Sequence, residues 1–210
     1  MTYSVKEIFT LQGEGANAGT AAVFCRFSGC NLWSGCEVDR ERAICAFCDT
    51  DFVGTDGRSG GRFDSAADLV SAIERHWKPA AHENRFVVLT GGEPLLQVDS
   101  QLGSELHARG FRIAVETNVT IDAPSGIDWI CVSPKGTSML RLLKGDEMKV
   151  VVPQIGIDLA GLSTLSFTHR FVQPMDGPDQ AINARSAVDL CLANPQWRLS
   201  LQTHKMLGIP

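Results

Sequence analysis

Four of the seven cysteines, Cys30, Cys36, Cys45 and Cys48, fall in the stretch CNLWSGCEVDRERAICAFC, a polar segment rich in Asp, Glu and Arg where burial does not account for them. An odd number of cysteines cannot all pair, so metal binding or redox chemistry is the better reading of the cluster. Cys25 (AAVFCRF), Cys131 (DWICVS) and Cys191 (AVDLCLAN) sit in apolar runs and are expected to be small buried side chains. Structural zinc wants four closed ligands. With Cys36 as the fourth, the spacings of five, eight and two intervening residues match no common zinc module. Three thiolates on a four-iron cluster would instead leave one iron open to a small molecule.

The elements that must position these thiols are written as short apolar runs at 21–27, 86–89, 111–116, 128–133, 148–152, 170–173 and 197–201. Several are continuously apolar, as parallel strands buried on both faces are. Helical patterns alternate with them. Ala66, Leu69, Val70, Ile73 and Trp77 share one face after the caps Asp64 and Ser65; further helices fit 97–109, before Gly110, and 179–193, between Pro178 and Pro195. That alternation predicts an α/β fold with a mostly parallel sheet. The stretch GTDGRSGG at 54–61 reads as an exposed loop, since no Lys-Ser or Lys-Thr follows it.

In such folds ligands bind at the carboxyl ends of the strands. The residues there are SGC with Cys30, TGGEP at 90–94, Thr117 and Asn118, SPK at 133–135, QPMD at 173–176 and QTHK at 202–205. Gly91 and Gly92 permit close backbone approach, and Glu93 is a candidate acceptor for an ammonium group. Arg26, in an otherwise apolar strand, suits a carboxylate, or else forms an internal ion pair. The 210 residues fit one domain, and the net charge of -5 argues against a nucleic-acid partner. No basic leader and no run near ~18 apolar residues occurs, so a cytoplasmic protein with no membrane contact is expected.

The pattern Cys30-x14-Cys45-x2-Cys48, with Phe47 before the last thiol and the Gly-Gly-Glu-Pro at 91–94, resembles the radical S-adenosyl-L-methionine (SAM) superfamily, whose usual spacing is C-x3-C-x2-C. Together with LQGEG (11–15), FCRFSGCNL (24–32), CDT (48–50), VETN, SPK and QTHKMLGIP, it is similar to the 7-carboxy-7-deazaguanine synthase (QueE) family, some members of which have an enlarged loop here. Val119 stands where that family tends to have Gly, which disfavours a left-handed turn.

The resemblance implies a partial, incomplete TIM-like barrel: a single radical SAM domain over 1–210 with an enlarged cluster-binding loop at 31–44. It implies a 4Fe-4S cluster on Cys30, Cys45 and Cys48, and SAM bound by Phe47, Gly92, Glu93, Ser133, Pro134, Lys135, Gln173, Pro174, Met175 and Asp176. The substrate, 6-carboxy-5,6,7,8-tetrahydropterin, would be held by Leu11, Gln12, Gly13, Arg26, Thr90 and the terminal carboxylate of Pro210. Mg2+ would sit on Thr50, with Glu14 and His204 moving or holding protons. The implied activity is a carbon-nitrogen lyase reaction of queuosine-type 7-deazapurine biosynthesis, in a homodimer served by a reductant such as flavodoxin. A glycyl-radical activase, an iron-sulfur electron carrier and a zinc scaffold are the other classes the thiols admit.

Overall fold

The computed structural model describes residues 2–78 and 83–208. Among the described residues nine strands form one sheet: β1 (Tyr3–Gln12), β2 (Ala21–Phe27), β3 (Gly61–Phe63), β4 (Phe86–Gly91), β5 (Arg112–Thr117), β6 (Trp129–Val132), β7 (Lys144–Val152), β8 (Ser166–Pro174) and β9 (Arg198–Leu199). Their order is β3-β1-β2-β4-β5-β6-β7-β8-β9. From β2 onward every neighbouring pair is parallel, whereas β1 runs antiparallel to both β2 and β3. The sheet is open, with β3 and β9 at its two edges. Helices α1 (Ala66–His76), α2 (Ser100–Ala108), α3 (Leu159–Ser163), α4 (Gln180–Ala193) and α5 (Thr203–Met206) complete the chain.

Seven of these strands lie on the apolar runs read from the sequence, and α1, α2 and α4 on the three helical patterns. Ser65 caps α1 by accepting from the Asp68 N–H, and Asp99 caps α2 by accepting from the Leu102 N–H. Asp99 also accepts the Tyr3 hydroxyl at 2.9 Å, which ties α2 to β1. The main core lies between β1, β2, β4 and β5 and the pair α1 and α2. There Ile8, Val23, Leu69, Ile73, Leu89 and Leu102 are fully buried, each contributing on the order of 1.5–3 kcal/mol relative to exposure.

β1 and β3 escape a reading of apolar runs. In β1 the pairing with β2 shifts register between Val5 and Glu7, a bulge that reverses which face odd-numbered residues occupy. Tyr3 and Val5 therefore point to the helices with Ile8, while Phe9 and Leu11 turn to the concave face with Phe24. The glycine-rich segment 54–60 packs on this bulge: the Gly57 N–H donates to Lys6 O and the Ile8 N–H to Arg58 O.

Val119 overturns the expectation that a β-branched residue avoids a left-handed turn here, for it has φ +74° and is fully buried. Such a conformation costs about 1–3 kcal/mol. Its N–H donates to Thr117 Oγ1 at 3.1 Å, its carbonyl accepts from the Arg141 N–H at 2.9 Å, and its side chain packs with Val132 and Met148. These contacts offset the strain.

Candidate active site

The carboxyl ends of β2, β4, β5, β6 and β8 and the segment after β9 surround one cavity of about 1440 Å3, its open mouth included. Cys30, Cys45 and Cys48 all line it. Cys36 does not: it is exposed, at the start of a 3-10 turn over Glu37–Arg42. Cys45 and Cys48 share a hydrogen bond; that bond and burial both push the Cys45 thiol up, whereas in Cys48 the bond outweighs burial and lowers it to about 6. One member of the pair is thereby ready to ligate as thiolate. Asn118 Nδ2 lies 3.9 Å from Cys30 Sγ.

Among the described residues no three His, Cys, Asp or Glu side chains converge on a single metal ion. Three thiols around one open cavity suit a cluster in which each thiolate would take a different iron.

Beside the thiols, Gly91 has φ +121°, and a Cβ there would fall 2.3 Å from Phe27 O; one on Gly92 would fall 2.0 Å from Gly29 O. Only glycines let this backbone run so close to the cluster loop. The Phe47 ring faces Lys135 Nζ at 5.6 Å, and Lys135 donates to Ser133 Oγ at 2.7 Å. Gln173, Pro174, Met175 and Asp176 also line the cavity, as do Leu11, Arg26, Thr50 and Thr90.

Three expectations change. Glu93 has no exposed surface and does not line the cavity. Its carboxylate accepts from Leu95 N, from Thr117 Oγ1 and, at 2.7 Å, from Asn118 N, so it ties two loops together and is not placed to meet an ammonium. Burial pushes its pKa up despite these donors. Gln12 is exposed and off the cavity, because the β1 bulge gives the inward face to Phe9 and Leu11; Gly13 is buried and also off the cavity. Pro134 also lies off the cavity; its carbonyl accepts from Gln154 Nε2. Pro210 lies outside the described residues.

Arg26 makes the internal ion pair offered for it and also reaches the cavity. It lines the cavity over the Phe9 ring, at 5.3 Å, and pairs with Glu7 at 2.6 Å, while its buried Nε has no partner. Glu14 meets Lys149 Nζ at 3.1 Å and His204 Nδ1 at 3.3 Å. Burial alone would raise the Glu14 pKa, but the Lys149 charge and the hydrogen bonds from His204 and Lys149 outweigh it and hold it at about 2. Glu14 is thus a fixed anion at neutral pH and too weak a base to collect protons there.

Sequence reasoning missed Lys149, which is 3% exposed, lines the cavity and also donates to both Glu116 oxygens at 3.0 Å. The available signal was a lone cation in EMKVVV, the same anomaly that marked Arg26. Lys205 was missed as a bridge: it pairs with Asp49, next to Cys48, and with Asp176 at 2.8 Å, joining α5 to the cluster loop.

An open, mostly parallel sheet whose carboxyl ends gather three thiols and a Gly-Gly backbone around one cavity defines the radical SAM class of enzyme. Comparison with models of known protein families finds no match. Against curated proteins, the chain is 62% identical over its whole length to the full 7-carboxy-7-deazaguanine synthase of Bradyrhizobium diazoefficiens, and 38% identical, again over both full lengths, to that of Bacteroides thetaiotaomicron. Among solved structures it superposes on QueE from Escherichia coli with a TM-score of 0.72 and 28% identity, covering 96% of this chain and 94% of that one. The chain belongs to the 7-carboxy-7-deazaguanine synthase family. Membership implies a 4Fe-4S cluster and SAM, and the cavity thiols fit that demand.

Proposed function

We propose that this cavity takes 6-carboxy-5,6,7,8-tetrahydropterin beside SAM and contracts its ring to 7-carboxy-7-deazaguanine with release of ammonia, a step of queuosine-type 7-deazapurine biosynthesis. The observation that carries the reading is that Arg26 and the three thiols share one cavity. When bound, the cluster and SAM supply a carbon-centred radical able to take a hydrogen atom from the substrate. The chain's own residues do the rest. Arg26, which lines the cavity over Phe9, receives the pterin carboxylate. Glu14 stays ionised and fixes Nδ1 of His204, which leaves Nε2 as the nitrogen for proton exchange. With Gln12 turned away, Leu11 and the backbone beside it face the pyrimidine edge. The backbone at Gly92, with Ser133, Lys135 and Gln173 to Asp176, orients SAM.

Anaerobic incubation with carboxytetrahydropterin, SAM and a one-electron reductant tests the reading. A product lighter than the substrate by one ammonia is expected; unchanged pterin in the presence of a fully loaded cluster would refute it. A homodimer and a reductant such as flavodoxin belong to the same proposal. Among the described residues no helix is long and apolar enough to cross a membrane.

Thr50, on the cavity wall two residues after Cys48, is the proposed protein ligand of Mg2+. A single hydroxyl is a poor site by itself, so substrate oxygens and waters must complete the octahedron. Thr50→Ala should therefore require about tenfold more Mg2+ for half-maximal rate, while iron content and SAM affinity stay at wild-type levels. A magnesium titration that superposes on the wild-type curve removes Thr50 from the metal site.

A further inference from the structure

Most of the 14 residues between Cys30 and Cys45 are exposed, but the segment is anchored to the site at one end by Leu32 and Trp33. Leu32 and Trp33 are buried in the cavity wall, and the Trp33 ring meets Phe52 edge-on at 5.6 Å, with its indole N–H donating to Cys36 O. Over the Trp33 face, at 4.0 Å, lies the guanidinium of Arg40, from the 3-10 turn. Its Nε and Nη2 are taken by the two Glu37 oxygens at 2.7 and 2.6 Å. Its Nη1 donates to two carbonyls of the cluster turn, Ala46 O at 2.9 Å and Cys48 O at 3.0 Å. The turn's other backbone tie to this wall is long, from Cys45 N to Leu32 O at 3.5 Å.

We propose that Arg40 is a positioning residue that holds the Cys45–Cys48 turn in its ligating shape, so that the inserted segment carries its own clamp for the cluster. All three guanidinium nitrogens are committed and the plane is stacked, so the fork has one orientation; a lysine, with a single nitrogen, cannot reproduce it. The charge-assisted bonds to the two carbonyls draw Ala46 and Cys48 toward one point, which curls the backbone that carries both thiols. The positive charge beside the turn also favours the more negative, reduced state of a bound cluster. The inference rests on the reading that Cys30, Cys45 and Cys48 bind a 4Fe-4S cluster.

The test reconstitutes wild type, R40M, R40K and E37Q anaerobically. It follows iron per chain, the rate of iron transfer to a chelator, the cluster's reduction potential and the thermal unfolding of the iron-free chain. R40M is expected to release iron about tenfold faster than wild type, the scale of losing charge-assisted hydrogen bonds. Its iron-free form should unfold at nearly the wild-type temperature. Its cluster should have a lower potential. R40K should release iron at an intermediate rate with the potential nearly unchanged, and E37Q, which frees the fork to rotate, should also be intermediate. Release from R40M within twofold of wild type overturns the proposal, as does iron loss that only parallels loss of the iron-free fold. If R40M does not fold, R40K and E37Q decide by the same criteria. A wild-type chain that takes up no iron overturns the underlying cluster reading, and the clamp falls with it.

Discussion

Cys45→Ser is expected to yield a folded chain that retains no cluster after anaerobic reconstitution and has lost roughly three orders of magnitude in activity, the ~10^3 scale of removing an essential catalytic group. Serine replaces sulfur with oxygen at nearly constant volume in a site 5% exposed, so the wall survives. What goes is the soft, readily ionised donor that iron-sulfur clusters require. Cys36→Ser is the control, because that thiol is exposed and off the cavity and should keep full iron content and activity. Iron and acid-labile sulfide per chain, read beside circular dichroism, decide the matter: a cluster retained by Cys45→Ser or lost from Cys36→Ser overturns the ligand assignment.

Lys149→Met should cost about 3–5 kcal/mol of stability at pH 7, the usual result of removing one partner from a buried ion pair. The side chain is only 4% exposed and stands between Glu14 and Glu116, so its loss leaves two close carboxylates without their shared cation. Activity should fall with it, since Glu14 and its hold on His204 depend on that charge. The pH dependence follows from the Glu14 pKa, held at about 2 in the folded chain against an ordinary value of 4.5. A depressed acid stabilises the fold fully above its unfolded pKa, and that contribution fades as pH falls from about 4.5 through 2. In Lys149→Met the Glu14 pKa rises, so protonation relieves the repulsion at a higher pH. The stability gap between wild type and variant should therefore narrow between pH 7 and pH 4, and Glu14→Gln added to the variant should recover part of the loss. Urea denaturation at several pH values measures this; a loss under about 1 kcal/mol with a pH-independent gap means the network carries little energy.

Much of the fold was legible because its signals are local. Continuous apolar runs such as AAVFCRF and FVVL announce buried parallel strands, and the capped amphipathic pattern from Ser65 announces α1. β1 was not legible, because the bulge between Val5 and Glu7 breaks the two-residue period. Gln12, placed at the site by the family resemblance, lies off the cavity because the bulge gives the inward positions to Phe9 and Leu11.

What the sequence determined by itself is the chemistry available: three thiols in one loop, two glycines that permit close approach, and a cation set in an apolar strand. These depend on residue type and near spacing, and no fold changes them. Which groups then act on a ligand was decided by tertiary structure. Glu93 reads as a candidate acceptor for an ammonium beside Gly92, yet it is buried and occupied by Thr117 and Asn118 from the next strand end. Lys149 reads as one polar residue in a strand, yet it is the counter-ion of Glu14, 135 positions earlier. The energy of a charge depends on its desolvation and on the charges beside it, and in this chain both are set when the curled sheet brings β7 across the cavity to the end of β1.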